Sequence, residues 1–511
     1  MGRLTVMQSF AAAVVAMLAL GGAPLHSAGA GQSLSLTLAV QRLLESGPEV
    51  RIDNESVRQS AGLYERTTAQ FDYLLTNGVS MERKHVPVSG MLSNFERNEN
   101  FALGLQKQLR NGVSLSVTAT SFDLTDNITN IRPLNGADVS ALVIVPLLRG
   151  LGRNNTGAAE LAAKSSLDAD ILLTGYNVSG LIYDLTSAYW DYLAAVGYLE
   201  IQKTVRENEL KMLDIVGKLV TAGELAPVFL EQTRGNLNTT LRGISDAEYS
   251  LYSSRQDIAV RLGYAPQETD ALPLPSERFP ELIDPDSLPE GTQARLLEQS
   301  MQNRGDYLAL LKNSETDRIY LHQAENSKKP SLNLNVKLGY AGLQEDGGRG
   351  RFVKSYSNNV DGVNSYVGLQ LELPVINHDA RGQVAYYQSL LRESELRKEN
   401  LSNAIASEIL VTLETMRRAV REYHLAEESA DFFLNTVNFE VEKAKNGSPD
   451  LTSLYIGLDR FRSAKMAQID AQRKYAVSLA RLRLATGTVL VSRGEGWAYI
   501  SGAMTQLPPI K

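Results

Sequence analysis

The sequence predicts a mixed α+β membrane protein: alternating strands joined to long coiled-coil hairpins, in a plan that occurs twice. Val143-Ile144-Val145-Pro146 ends a strand and runs through a Gly/Asn turn into a long helical stretch broken near Gly223. Leu369-Gln370-Leu371-Glu372-Leu373-Pro374 opens a second such unit, broken near Gly447. The prolines lie 374 − 146 = 228 positions apart and the glycines 447 − 223 = 224, so the copies drift by four residues, about one helical turn. Period-two segments before each joint and seven-residue repeats after it supply the other two observations. Together they point to a conduit rather than a catalyst.

In chain order, residues 1–30 predict an export signal. Arg3 gives a positive start, Val6 to Leu20 an apolar stretch, and Ala28-Gly29-Ala30 a small-residue cleavage site, so the mature chain is expected to begin near Gly31. That apolar stretch is shorter than the roughly 20 residues a span needs, and no later run reaches that length. Membrane insertion is therefore expected to use strands. The 511 residues include no cysteine, which excludes disulfides, thiolate metal sites and a lipidated cysteine, and the formal charge of −7 without a basic cluster argues against nucleic acid as a partner.

Residues 31–97 are expected to form an N-terminal periplasmic helical segment and residues 98–147 the first membrane β-hairpin. In the latter, Phe101, Leu103, Leu105, Leu115, Val117 and Ala119 alternate with Gly104, Gln106, Ser114, Ser116 and Thr118, and Val139, Ala141, Val143 and Val145 follow as a return strand. Residues 331–374 repeat the pattern with Leu332, Leu334, Val336, Leu338 and Tyr340, then Val367, Leu369, Leu371 and Leu373. One face of each strand is apolar and the other wet. The connections, roughly residues 123–138 and 345–361, are polar like the external loops of outer-membrane barrels. Four strands per chain leave two open edges, which a bilayer does not tolerate. Two chains would supply eight strands and a filled interior, whereas three would supply twelve and leave a lumen.

Residues 148–263 and 375–487 predict the two long helical hairpins. Val178, Ile182, Leu185, Tyr189, Tyr192, Val196 and Leu199 step by fours and threes, as do Ile409, Leu413, Met416, Val420 and Tyr423, which is a coiled-coil seam. Ala222-Gly223-Glu224-Leu225-Ala226-Pro227 and Asn446-Gly447-Ser448-Pro449-Asp450 carry the Gly stop and the Pro just beyond it. Tyr183, Tyr189, Trp190, Tyr192 and Tyr198 are expected to pack between helices. Residues 264–330 are expected to hold a Pro-rich acidic linker that wraps the outside, from Ala265 to Gly291, followed by one helix to about Asn326. Residues 488–511 are a tail without strong pattern.

No catalytic grouping or cofactor motif emerges. Arg149-Gly150-Leu151-Gly152-Arg153 lacks the full phosphate-loop fingerprint and is better explained as a strand-to-helix turn capped by Asn154, Asn155 or Thr156; the histidines have no metal-ligand spacing.

At the joints Val145-Pro146-Leu147-Leu148-Arg149-Gly150 and Leu373-Pro374-Val375-Ile376, at Asn303-Arg304-Gly305-Asp306-Tyr307, and at Lys329-Pro330-Ser331-Leu332-Asn333-Leu334, the chain resembles the TolC family of outer-membrane efflux proteins. The resemblance implies a homotrimer, a twelve-stranded barrel continuing into a twelve-helix periplasmic tunnel, in the outer membrane of a Gram-negative bacterium. It also implies a periplasmic adaptor, an inner-membrane transporter and outer-membrane lipid as partners, no cofactor, and no enzymatic activity. The hairpin tips at Gly223 and Gly447, with Glu224 and Asp450, would face the adaptor. Related members place carboxylates six and nine residues after the second turn glycine. Those positions here are Ser453 and Ile456, with Phe229 and Gln232 in the first copy, and none is acidic. Pro146, Gly150 and Pro374 mark the strand-to-helix joints. The alternative reading is a periplasmic or surface coiled-coil protein without channel activity.

Overall fold

The computed structural model describes residues 33–88, 92–126, 134–345, 354–355, 361–445, 450–493 and 496–509. The export signal and Gly447 lie outside the described residues, as does most of the two polar connections. The chain divides into two compact units, one of Met1–Val57, Ile171–Ala309 and Lys398–Lys511, the other of Arg58–Asp170 and Leu310–Arg397.

In chain order the elements are α1 (Leu36–Ser46), α2 (Pro48–Thr68), β1 (Tyr73–Val88), β2 (Leu92–Gln108), β3 (Ser114–Asp126), β4 (Leu134–Pro146), α3 (Ala158–Thr221) and α4 (Val228–Arg261). They continue with α5 (Thr292–Asn303), α6 (Gly305–Ser327), β5 (Ser331–Glu345), β6 (Asp361–Glu372), α7 (His378–Lys445), α8 (Leu451–Ala485), β7 (Leu490–Arg493) and β8 (Gly496–Tyr499). Among the described residues no helix is long and apolar enough to cross a membrane.

The duplication holds, and its four-residue drift has a structural cause. Between the joint proline and the long helix lie 158 − 146 = 12 positions in the first copy and 378 − 374 = 4 in the second, while the helix lengthens from 64 residues in α3 to 68 in α7. A shorter joint is thus half offset by one more helical turn. The return helices α4 and α8 have 34 and 35 residues, and each stops on a left-handed glycine. At Gly263 (φ +75°) the Tyr264 N–H donates to Ala259 O, and at Gly487 (φ +65°) the Thr488 N–H donates to Arg483 O. This is the six-to-one bond of a Schellman stop.

The first unit is held by the expected seam. Ile182, Leu185, Tyr189, Tyr192, Ile409 and Met416 are fully buried. Trp190 lies 5.6 Å from Phe279 of the linker, and the Tyr189 hydroxyl donates to Leu34 O at 2.9 Å. Burial pushes that hydroxyl up to about 12, so it stays a neutral donor. The aromatics do pack, and they pack the linker as well: Leu272 is buried and Leu34 bridges Pro275, so this segment is anchored in the core rather than merely wrapped around it.

Three further expectations are corrected. First, residues 31–97 are not all helical, because β1 and the start of β2 lie within them. The sheet therefore has six strands, not four, in the order β1-β2-β3-β4-β5-β6 with every neighbour antiparallel. Second, the single helix before Lys328 is two helices. Arg304 is extended (φ −74°, ψ 117°) and separates α5 from α6. Its guanidinium is drawn inward, where it bonds Asp306, Glu408 (2.6 Å) and the Tyr176 hydroxyl (2.7 Å). Third, the C-terminal segment is folded. β7 and β8 pair as a hairpin, Trp497 lies against Gly175, and the Arg483 guanidinium donates to Gln506 O and Leu507 O. A Cβ at position 175 would collide with the indole, so glycine there makes room for it.

Candidate channel-forming surfaces

The sheet belongs to the second unit, and its register sorts every side chain onto one of two faces. Leu75 opposes Leu105, which opposes Val117, then Ala141, then Leu338; Leu103, Ala119, Val139, Tyr340 and Val363 make the row beside it. Phe101, Leu115, Val143, Val336, Val367, Leu369 and Leu371 fall on the same face. The opposite face carries Thr76, Ser80, Gln106, Ser116, Thr118, Asn333, Asn335, Lys337 and Gln370. Thr118 and Ser140 bond across it at 3.1 Å.

Among the described residues, nothing covers the apolar side. Leu75 is 68% exposed, Val79 67%, Val367 70% and Leu369 68%, whereas a sheet packed on a soluble core buries that face. The uncovered patch runs across all six strands, which is far more than the scattered apolar residues of an ordinary surface. On β1 the apolar run ends at Met81 and gives way to Glu82, Arg83, Lys84 and His85, while β2 carries Glu96, Arg97, Asn98 and Glu99 opposite them. The apolar part of each strand thus occupies only one stretch of it, at matching levels, as a bilayer requires.

The joints use backbone chemistry rather than ligand chemistry. Pro146 ends β4, and Gly150 (φ +83°) and Gly152 (φ +93°) turn the chain. The Gly150 N–H donates to Asn326 Oδ1 at 2.9 Å, the Gly152 N–H to Asn111 O at 3.0 Å, and Thr156 Oγ1 to Gly150 O at 2.7 Å. Both glycine amides are therefore already engaged. Arg110 clamps the start of α3 through two 2.7 Å bonds to Glu160. The second joint is tighter: Pro374 lies just past β6, and Asn377 (φ +50°) takes the left-handed turn that glycines take in the first copy, its amide donating to Ser327 O at 3.3 Å. Asparagine is the side chain that tolerates this region best.

The hairpin ends belong to the first unit. Gly223 (φ +81°) ends α3, with the Glu224 N–H donating to Leu219 O and the Gly223 N–H to Val220 O, the paired bonds of a Schellman stop. Glu224 and Gln232 are exposed, and Phe229 is half-buried against a cluster of Met212, Val216, Val437, Leu451, Leu454 and Leu458. Asp450 caps α8, accepting from the Ser453 N–H at 3.1 Å and from Ser453 Oγ at 2.8 Å. Those bonds hold its carboxyl below the usual carboxylate range. Ser453 is thus occupied as a capping partner, while Ile456 is exposed. Tyr455 donates to Thr233 Oγ1 at 2.6 Å, tying the two hairpins together near their ends. Sequence reasoning did not single out Tyr455 or Thr233, and no pattern in the sequence marks them as a pair.

No protein-family model and no curated protein matches the sequence. Solved structures match its fold. CusC, described in connection with transmembrane channel formation, aligns with a TM-score of 0.66 at 15% identity over 90% of this chain and 95% of its own. The outer-membrane protein VceC of Vibrio cholerae gives 0.66 at 12% identity over 88% and 96%, and the CmeC outer-membrane channel of Campylobacter jejuni 0.66 at 13% over 89% and 85%. The chain has the fold of these outer-membrane channels. The alignments cover 88–90% of this chain and 85–96% of the neighbours' own length.

Proposed function

We propose that this chain is a TolC-type outer-membrane channel that works as the exit duct of an export system in a Gram-negative bacterium. Three copies close a barrel in the outer membrane. Cargo is handed over by an inner-membrane transporter through a periplasmic adaptor, in a tripartite efflux pump or a type I secretion system. The channel conducts passively, and the driving energy comes from its partners. The residues at the hairpin ends, Gly223, Glu224, Phe229, Gln232, Gly447, Asp450, Ser453 and Ile456, are proposed to meet the adaptor and to frame the periplasmic entrance. That entrance lacks carboxylates at the four aligned positions, and any acidic ring there is proposed to come from other positions, Glu224 and Asp450 among them.

The observation that carries this reading is the apolar face, uncovered among the described residues and in register across six strands whose other face is mostly polar. A periplasmic coiled-coil protein would have no use for it. The test is fractionation and mass. The protein should stay with outer membranes through a carbonate wash, require detergent for release, and give trimers by native mass spectrometry. Release by carbonate as a water-soluble monomer would end the proposal.

A further inference from the structure

The strand count has a consequence for the size of the channel. Six strands form one meander, and among the described residues β1 pairs only with β2 and β6 only with β5. Both outer edges therefore present unpaired N–H and C=O groups at the level of an apolar band, β1 with Leu75 and Val79 and β6 with Val367 and Leu369. In hydrocarbon such an edge must be paired, because no water is available to satisfy it. β1 cannot join β6 of its own chain, since six strands are below the roughly eight at which membrane barrels begin. The partner that fits is a second copy of this chain. In a meander with an even number of strands the first and last run in opposite directions, so β1 of one copy meets β6 of the next antiparallel, as all the other pairs are. Such a contact is head-to-tail and closes as a ring.

We infer that the barrel made by this chain has eighteen strands, six from each of three copies, with β1 of each copy pairing antiparallel with β6 of its neighbour. The inference rests on the trimeric reading above for the number three, and on the sheet for the number six. The β1–β2 hairpin is then a structural part of the barrel wall. Its outward side chains Leu75, Val79, Phe101, Leu103 and Leu105, with Asn77 among them, continue the lipid-facing band, and Thr76, Gly78, Ser80, Ala102, Gly104 and Gln106, with Leu74, face the lumen, mostly as short or polar groups.

Barrel diameter grows in proportion to strand number. With strands about 4.8 Å apart and tilted about 40°, twelve strands make a ring about 24 Å across between backbone centres, and eighteen make one about 36 Å across. The enclosed cross-section rises about twofold. At this size a barrel holds an open aqueous channel, as porins of 16–18 strands do.

The experiment is cryo-electron microscopy of the detergent-purified full chain, with native mass spectrometry on the same preparation. Trimers with a ring about 36 Å across, in which β1–β2 is part of the wall, support the inference. Trimers with a ring about 24 Å across and β1–β2 outside it overturn the inference and leave the trimeric channel intact. A copy number other than three overturns the trimeric reading instead, whatever the ring size. Because the chain has no cysteine, a second readout needs no background removal. Paired substitutions of Val79→Cys with Val363→Cys, Val367→Cys or Leu371→Cys are expected to yield one combination that oxidises to covalent multimers ending at three chains. Dimers from Val79→Cys alone would mean that β1 pairs with β1, and would overturn the head-to-tail closure.

Discussion

Replacing Arg304 with methionine should be among the most damaging single changes outside the sheet. The guanidinium is buried, its side chain only 7% exposed, and it donates to both Asp306 oxygens (2.9 and 3.1 Å), to Glu408 (2.6 Å) and to the Tyr176 hydroxyl (2.7 Å). Arg304→Met leaves two carboxylates and a phenol without that donor. Removing one partner of a buried ion pair costs about 3–5 kcal/mol, because the other charge stays buried and uncompensated. Arg481 also pairs with Glu408 and is half exposed, so it retains part of the compensation and the expected loss is near the lower end, about 3 kcal/mol. The double variant Arg304→Met, Glu408→Met should recover part of the loss, since an apolar pair of similar volume is often close to neutral in place of a buried salt bridge. Unfolding midpoints followed by far-ultraviolet circular dichroism in one detergent give the four corners of the cycle. A loss below about 1 kcal/mol for Arg304→Met, or additivity of the two changes within about 0.5 kcal/mol, would refute the view that this network holds the α5–α6 break in place.

Three other outcomes are expected. Glu209 is buried, one of its oxygens has no partner, and burial raises its pKa despite a bond from Thr240. Its folded pKa lies above the unfolded one, so stability falls as pH rises from the unfolded value through the folded value. Glu209→Gln should therefore match the parent at acid pH and melt higher at neutral pH; equal melting temperatures at both would dismiss the effect. On β1, Leu75→Arg puts a charge on the outward face at the level of Leu105 and Val117. It should cost about 2–4 kcal/mol of membrane stability and lower the yield of folded barrel on heat-modifiability gels, while Thr76→Arg on the polar face should not. Equal yields would mean that β1 does not face lipid. Gly223→Val forces a β-branched residue to φ +81°, a strain of at least about 1–2 kcal/mol. It should depress export of the native cargo while trimers still assemble, and wild-type export would show that this turn is not part of the working end.

What the sequence made legible was what its periodicity encodes. The heptad seam, the glycine stop at Gly223, the two proline joints and the alternation of β2 to β6 all carry a repeat or a residue type demanded by backbone geometry, and these features were located within a few residues. β1 and the start of β2 escaped because this stretch reads as charged surface. Glu82, Arg83 and Lys84 break the apolar alternation after Met81, and only the pairing Lys84 with Glu96 and Glu82 with Asn98 makes sense of them as strand residues beyond the bilayer. Opposite charges across a ladder stabilise it by a few tenths of a kcal/mol to about 1, but the partners lie 12 to 16 positions apart, too far for a local window to link. The break at Arg304 escaped for the same reason: the carboxylate that its guanidinium meets, Glu408, is 104 positions away.

That contrast bears on the duplication itself. The two joints perform the same turn with different residues, Gly150 and Gly152 in one and Asn377 in the other, and with eight positions fewer in the second. A joint needs only a left-handed residue and a proline after the strand, so its length is free to drift provided the helix that follows keeps its register. Lengthening that helix by four residues adds close to one turn and leaves the apolar seam nearly on its original face. The β1–β2 hairpin obeys the same logic. Two antiparallel strands at the edge of a meander leave the direction and facing of the other strands unchanged, so with β1–β2 in the wall of the proposed barrel β3 to β6 keep their places and only the ring is wider.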